Sequence, residues 1–364
     1  MPKEMISMRQ AFCIIVVFIW GSSVVMGISS EAGQDSWFSL LIGFMLAIPI
    51  FLIYSRVMRL YPEKNIFAIL QIVFGKIAGG IMILLMSWYA LHLCSIVLCN
   101  FTQFIEIVAM PETPQLPLLI LMLAVTTYLA MSGVETLGKW SIIIMPIVAG
   151  VALFTVITAL NHMDFSNILP VMSHDFSTIT NGARKVFSFP FAETVLFLGV
   201  ADVVKRQTSP YKLYIYASAF GALILLIVML RNIELLGPLA QIEYFPSYIA
   251  ARIIDIGDVL TRIEGTISMN FILTGITKIT LCLLVASKGI AHLLGVSNYR
   301  QVLIPLSVFA LALSSTLYNS AMQMFGFLSV YTYYAMPFQV FIPLAVWLFA
   351  EIKTKRQKKL AARR

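Results

Sequence analysis

Lys278 stands in the run Thr274-Gly275-Ile276-Thr277-Lys278-Ile279-Thr280, inside an apolar stretch flanked by Leu, Ile and Val. A charge at the centre of a membrane helix costs roughly 2.5–3.5 kcal/mol on insertion scales, so this ammonium must face the interior and find a partner. Its chemistry is that of a fixed positive charge or a proton acceptor. Glu193 follows the run Ser188-Phe189-Pro190-Phe191-Ala192. It can pair with a cation, carry a proton, or bond freed backbone amides as a protonated acid. The third chemical resource is backbone. Trp20-Gly21-Ser22-Ser23, followed by Met26-Gly27, interrupts one apolar run, and Pro190 interrupts another. Glycine permits unwinding or close approach, and proline removes a donor and clashes with the preceding turn. Amides freed at such breaks face an anionic group and freed carbonyls a cationic one, which suits a zwitterion. The plain alternatives are a lysine snorkelling toward headgroups and Gly/Pro kinks that only pack.

The elements that must position these groups are membrane helices. Of 364 residues, 60% are hydrophobic and only 12% charged, with a mean hydropathy of +0.91. A soluble domain carries about a quarter charged residues. A water-soluble enzyme and a disordered chain are both excluded. The apolar runs are each long enough to cross a ~30 Å hydrocarbon slab as a helix. Ten spans are expected, near 10–30, 36–57, 77–104, 115–133, 141–160, 185–203, 211–230, 263–286, 300–316 and 325–350. Strand alternation is absent, so the fold is all-α and polytopic. No cleavable leader is expected, since the first run lacks a small-residue cleavage site. Residues 1–352 form one transmembrane domain, followed by a basic tail over 353–364.

Charge sets the orientation. With both termini cytoplasmic, the inner segments hold 19 Lys/Arg and 5 Asp/Glu, and the outer ones 5 Lys/Arg and 11 Asp/Glu. Such an excess of inner Lys/Arg orients the chain. The net charge of +8 therefore answers to headgroups rather than nucleic acid. The segment 231–262 reads as an outer loop with short helices over the mouth, and 62–76 as an amphipathic stretch along the inner surface. Cys13, Cys94, Cys99 and Cys282 have no metal or disulfide spacing and read as small buried hydrophobes. His92 reads as hydrogen-bonded packing, and His162, His174 and His292 form no cluster. Arg262 and Glu264, two apart, take separate partners at the entry of span eight. No nucleophile–base set, phosphate loop or metal spacing is present in the pattern, so no cofactor is expected and enzymatic function has little support.

Ten spans split into two sets of five, and five is odd, so the second set enters the membrane upside down. That parity permits an inverted repeat, over about 10–160 and about 185–350, with a midplane site between interrupted helices. The interruptions fall at matching places, in spans one and six.

Particular residues carry a family resemblance. They are Gln10, Gly21-Ser22-Ser23, Glu31-Ala32-Gly33-Gln34-Asp35-Ser36-Trp37, Gly133-Val134-Glu135-Thr136-Leu137-Gly138-Lys139, Ile168-Leu169-Pro170-Val171, Phe189-Pro190-Phe191-Ala192-Glu193 and Arg262-Ile263-Glu264. In that order the chain resembles, over essentially its whole length, the spore germination permease (GerB) family of the amino acid–polyamine–organocation superfamily. The resemblance implies a LeuT-type five-plus-five inverted repeat with helices one and six interrupted. It also implies an inner-membrane spore protein that works with a germinant receptor A subunit and a lipoprotein C subunit. Such a protein senses a small nutrient, an amino acid or a sugar, and triggers germination.

In that fold spans one, three, six, eight and ten line the pocket. The resemblance then points to Gly21, Ser22 and Ser23 opposite Phe189, Pro190 and Phe191. Tyr89 and Leu93, four apart on one face of span three, form a wall, and Tyr334 before Met336-Pro337 another. Plain packing is an equal reading for each aromatic. Sodium-coupled members place a cation beside the span-one break, where span eight gives oxygens. Lys278 in that place replaces the ion's charge, as a fixed cation or a proton acceptor, and Glu193 is the second candidate for charge coupling. The leading function is a nutrient-sensing receptor subunit, with an amino acid favoured over a sugar by the apolar pocket. The alternatives are a proton-coupled amino acid transporter and an ion-conducting or structural membrane subunit.

Overall fold

The structure, a computed structural model, describes residues 4–205, 207, 209–254, 263–318 and 320–361, with side chains described to residue 355. Among the described residues nine helices are long and apolar enough to cross a membrane, and Met8–Trp20 is a shorter apolar helix. The expected ten all-α spans are therefore accounted for, with one of them shortened.

The shortened one is α1 (Met8–Trp20). Its start is a capping box: Gln10 donates its backbone N–H to Ser7 Oγ at 3.2 Å, and Ser7 N–H reaches Gln10 Oε1 at 2.8 Å. Its end is Gly21, whose N–H still bonds Val17 O. One irregular turn follows, then a 3-10 helix, Ser30–Asp35. The regular helix ends at the expected Gly21 break, and beyond it the span expected to reach residue 30 is not regular helix. Hydropathy measures apolarity, and the turn after Gly21 is apolar without being regular helix.

Next come α2 (Ser36–Leu60) and α3 (Ile66–Val108). The latter contains a break at Gly75, where φ is +80°. Only glycine takes that conformation without strain. It sets the helical segment 66–74, the stretch read as amphipathic, apart from the span that follows. Helices α4 (Gln115–Ser132) and α5 (Val134–Ala159) complete the first half.

Span six has three pieces: α6 (Phe176–Val186), a π turn (Phe187–Phe191) and a 3-10 helix (Ala192–Val203). Phe189, just before Pro190, is extended at φ −129°, ψ 113°, as steric clash with the proline ring demands. The second half continues with α7 (Pro210–Leu236), the short α8 (Leu239–Ile242) and α9 (Pro246–Ile253), α10 (Glu264–Leu294) and α11 (Arg300–Leu317). It ends with α12 (Ala321–Met336), a second π turn (Pro337–Phe341) and α13 (Ile342–Ala361). Span ten is thus also interrupted, at Pro337. Part of the tail, Lys353 included, continues α13 as helix.

The outer-loop boundary is corrected as well. Residues 231–236 continue α7, and Arg231 is 1% exposed. Its guanidinium donates to Thr155 Oγ1 at 2.5 Å and Asn232 Oδ1 at 2.6 Å. The short helices do sit where a covering loop was expected: Ser247 Oγ donates to Val24 O and Gly27 N–H to Tyr244 O. Glu264 opens α10, while Arg262 lies outside the described residues.

Spans six and eight (Phe176–Val203 and Glu264–Leu294) are the most enclosed, 89% and 83% buried against 50% or less for the other seven. Helix α10 packs along α3, where the Phe101 and Phe271 rings lie 4.0 Å apart and Phe101 occupies the space beside Gly275. A small residue lets two membrane helices approach this closely. The four cysteines are free and buried.

Candidate functional site

The site forms where α10 crosses the break in span one. Thr274 Oγ1 donates to the Gly21 carbonyl at 2.8 Å, fixing the broken end. One turn on, the Lys278 stem fills the place a side chain at residue 21 would take: a Cβ there would lie 2.6 Å from Lys278 Cδ. Glycine at 21 is therefore a packing requirement of this lysine.

Lys278 is 0% and Glu193 1% exposed, and Nζ meets Oε2 at 2.5 Å. The Phe18 and Phe189 rings lie over the ammonium at 5.2 and 4.7 Å, close enough for cation–π attraction. The other carboxylate oxygen, Oε1, accepts the Tyr331 hydroxyl at 2.5 Å. Because the Tyr331 proton is committed there, Tyr89 is the donor in the Tyr89–Tyr331 bond at 3.1 Å. Tyr89 in turn accepts from Gln339 Nε2 at 2.8 Å. Gln339 also donates to Ser188 O and accepts from Ser188 Oγ, both at 2.9 Å. The Tyr54 hydroxyl bridges Gln339 O (2.5 Å) and Ala192 O (3.2 Å).

The result is a ring of directed bonds joining spans two, three, six, eight and ten. The carboxylate, the phenols, the Gln339 amide and the Ser188 hydroxyl in it all have hydrogen-bond partners, as a buried network needs if it is to rigidify rather than cost stability. The π turns of spans six and ten hold each other through Ser188 and Gln339, so each break supplies the partners the other needs.

A cavity of about 180 Å³ opens at the end of the bundle opposite residues 4–7. Its walls come from Gly27–Glu31, Gln241–Tyr244, Phe325 and Thr332, with the Lys185–Glu31 pair (2.9 Å) at the rim. Its floor is Phe189 and Tyr331, the ring over the ammonium and the phenol on the carboxylate.

Of the residues singled out from sequence, Gly21, Phe189, Glu193 and Lys278 meet directly, and Tyr89 joins through Tyr331. Ser22 Oγ is buried, with no hydrogen-bond partner among the described residues. Ser23 Oγ turns back to Ile19 O and Trp20 O, and the residue lines a separate cavity of about 40 Å³ on the α7 side. Pro190 is buried, and Phe191 packs edge-on against Phe44 and Phe51 of α2, away from the cavity. Leu93 is buried in the core. Tyr334 sits edge-on to His92 at 5.0 Å. His92 itself stacks on Trp88 at 5.5 Å. Tyr331, Gln339, Ser188 and Tyr54 were not singled out. The signal for one of them was available: Pro337 interrupts span ten as Pro190 does span six, and Gln339 is a polar side chain beside it.

With this geometry in hand, comparison with known proteins places the chain. The profile of the family described as spore germination protein matches residues 5–322. The chain belongs to the spore germination protein family. Spore germination protein KB of Bacillus subtilis (strain 168) is 25% identical, the alignment covering 99% of this chain and 98% of that one. Spore germination protein GerQB of Bacillus cereus is 24% identical, with 90% and 89% covered. Among solved structures, this spore germination protein is similar to MhsT in complex with L-phenylalanine, with a TM-score of 0.70, 13% identity, and 96% and 89% of the two chains covered. It is also similar to Mhp1, a nucleobase-cation-symport-1 family transporter with bromovinylhydantoin bound (TM-score 0.67, 13% identity, 90% and 75% covered). The fold is thus the LeuT-type transporter fold, with helices one and six interrupted.

Proposed function

We propose that this spore germination protein is the ligand-sensing membrane subunit of a germinant receptor, in the inner membrane of the spore, with both termini cytoplasmic. A small nutrient enters the cavity from the outer side and settles on Phe189 and Tyr331. Residues 1–352 act as one transmembrane unit of two repeats, about 10–160 and 185–350, with the basic tail over 353–364 against anionic headgroups. The partners are a receptor A subunit and a lipoprotein C subunit. The observation that carries this reading is a cavity ending on the two side chains that hold a buried ion pair between interrupted spans.

Ligand shifts the resting equilibrium only by its difference in affinity between states. The floor residues offer such a difference, since each touches one member of the pair. Lys278 supplies the positive charge beside the span-one break, so binding needs no sodium. The test is binding to the purified full chain in lipid nanodiscs, with sodium or choline as the cation, alongside uptake into liposomes. Saturable nutrient binding without flux, equal in both salts, supports the sensor. Flux driven by a proton gradient supports the second reading, a proton-coupled amino acid transporter, which the transporter fold favours. Conductance independent of any nutrient removes both.

A further inference from the structure

The resting ion pair limits what the cavity can take. Lys278 has three N–H groups and one acceptor among the described residues, Glu193 Oε2 at 2.5 Å. The rest of its surroundings named by the geometry are two aromatic faces. Glu193 is held by Lys278 and by Tyr331. Of the two rings over the ammonium, Phe18 is buried, whereas Phe189 is only half-buried, lines the cavity and sits in extended backbone at the span-six break. A single side chain therefore separates a small molecule in the cavity from the ammonium, and the neighbouring floor residue leads to the carboxylate.

We infer that the ligand is a zwitterionic α-amino acid that parts the pair: its carboxylate takes Lys278 as Phe189 turns aside, and its ammonium takes Glu193 beside Tyr331. The reason is electrostatic. Separating a buried pair with a neutral ligand leaves two uncompensated charges, which is strongly unfavourable. A zwitterion supplies both missing charges and keeps the site neutral. A sugar supplies neither and must leave the pair intact. This inference rests on the cavity being the nutrient site, and it names the ligand's class and the residues that select it. Exchange of one pair for two also gives ligand a mechanical consequence, because Lys278 and Glu193 belong to different spans.

The test is calorimetric titration of the full chain in nanodiscs with the twenty standard amino acids, and with D-glucose as the sugar probe. The amino acid that binds is then compared with its amide and its deaminated acid. At least a tenfold loss for each analogue, and the same loss in the neutral Lys278→Met/Glu193→Gln double variant, is the expected result. The analogue comparison uses the unaltered protein, so it holds even if the variant folds poorly. Equal affinity for amino acid and amide, or full affinity in a folded double variant, overturns the exchange and leaves the nutrient site standing. Binding of a sugar alone, abolished by filling the cavity with Ser329→Trp at its wall, does the same. No binding by any probe overturns both the exchange and the site.

Discussion

The two ends of the bundle are closed to different degrees. At one end residues 4–7 strap the helices together: Ile6 N–H bonds Val203 O at 2.8 Å, and Lys205 N–H bonds Ile6 O at 3.2 Å. Glu4 accepts the Val134 N–H at 3.1 Å and Arg300 Nη2 at 2.8 Å. Tyr299, whose phenol is raised above its ordinary pKa chiefly by burial, remains a donor beside it. Lys288 reaches Asp202 at 3.0 Å, tying α10 to the end of span six. At the other end the cavity leads inward, and its rim carries the Lys185–Glu31 pair, about one-third exposed. The difference teaches that the cavity ending on Phe189 and Tyr331 leads to the central pair from the end opposite the strap. The closed side is held by bonds spread over spans one, five, six, eight and nine, so exchanging open and closed ends needs a concerted change rather than one broken contact.

The comparison can be broken hardest at the centre. Lys278→Met or Glu193→Gln alone strands one buried charge, at a cost of about 3–5 kcal/mol. Thermal unfolding in detergent should fall sharply for each single variant, and much less for the double one. Singles no worse than the double would mean that the pair does not bind the two spans together. Next in size is Gly21→Ala, whose methyl group collides with the Lys278 stem. Overpacking of this kind costs about 1–3 kcal/mol. Gly326→Ala, a helical position with nothing within 4 Å, should leave the unfolding midpoint unchanged or slightly raised.

Glu4→Gln keeps the shape of the strap and removes its charge. A hydrogen bond to a charged group is worth about 1.5–3 kcal/mol, so hydrogen exchange at the Ile6 and Lys205 amides should quicken. Exchange over 27–31, at the open end, should stay as it was; equal acceleration at both ends would erase the distinction. The smallest effect belongs to Lys185→Ala at the rim. An exposed pair contributes about 1 kcal/mol or less. Its loss should be visible in unfolding at low salt and vanish as ionic strength rises.

Much of this was legible in the chain. Runs of apolar residues gave the spans but not all their ends, since span five begins at Val134 rather than 141, span six at Phe176 rather than 185, and span eight runs on to Leu294 rather than 286. Gly21 and Pro190 marked the breaks in spans one and six. The intramembrane ammonium announced that it needed a partner. Other parts were not legible, for identifiable reasons. Arg231 follows the fading of an apolar run and read as loop, yet it is buried on neutral acceptors, which a delocalised guanidinium tolerates better than an ammonium does. Tyr331 lies in Tyr331-Thr332-Tyr333-Tyr334, where type alone does not say which ring turns inward. Tyr331 is 3% exposed and Tyr333 67%, a split set by packing against α3 and the span-six break. Phe191, one residue past Pro190, faces α2, because the π turn rotates it off the cavity.

By itself the sequence determined what a bilayer enforces on any chain: helices of sufficient apolar length, interruptions at Gly21 and Pro190, and a polar partner for every buried charge. Only the tertiary structure decided that Glu193, 85 residues from Lys278, is that counter-ion, and that Tyr331, Tyr89 and Gln339 complete its hydrogen bonds. The need for a partner is a property of one residue and its solvent. The choice of partner depends on the depth and rotation of separate helices, which are fixed jointly when all of them pack.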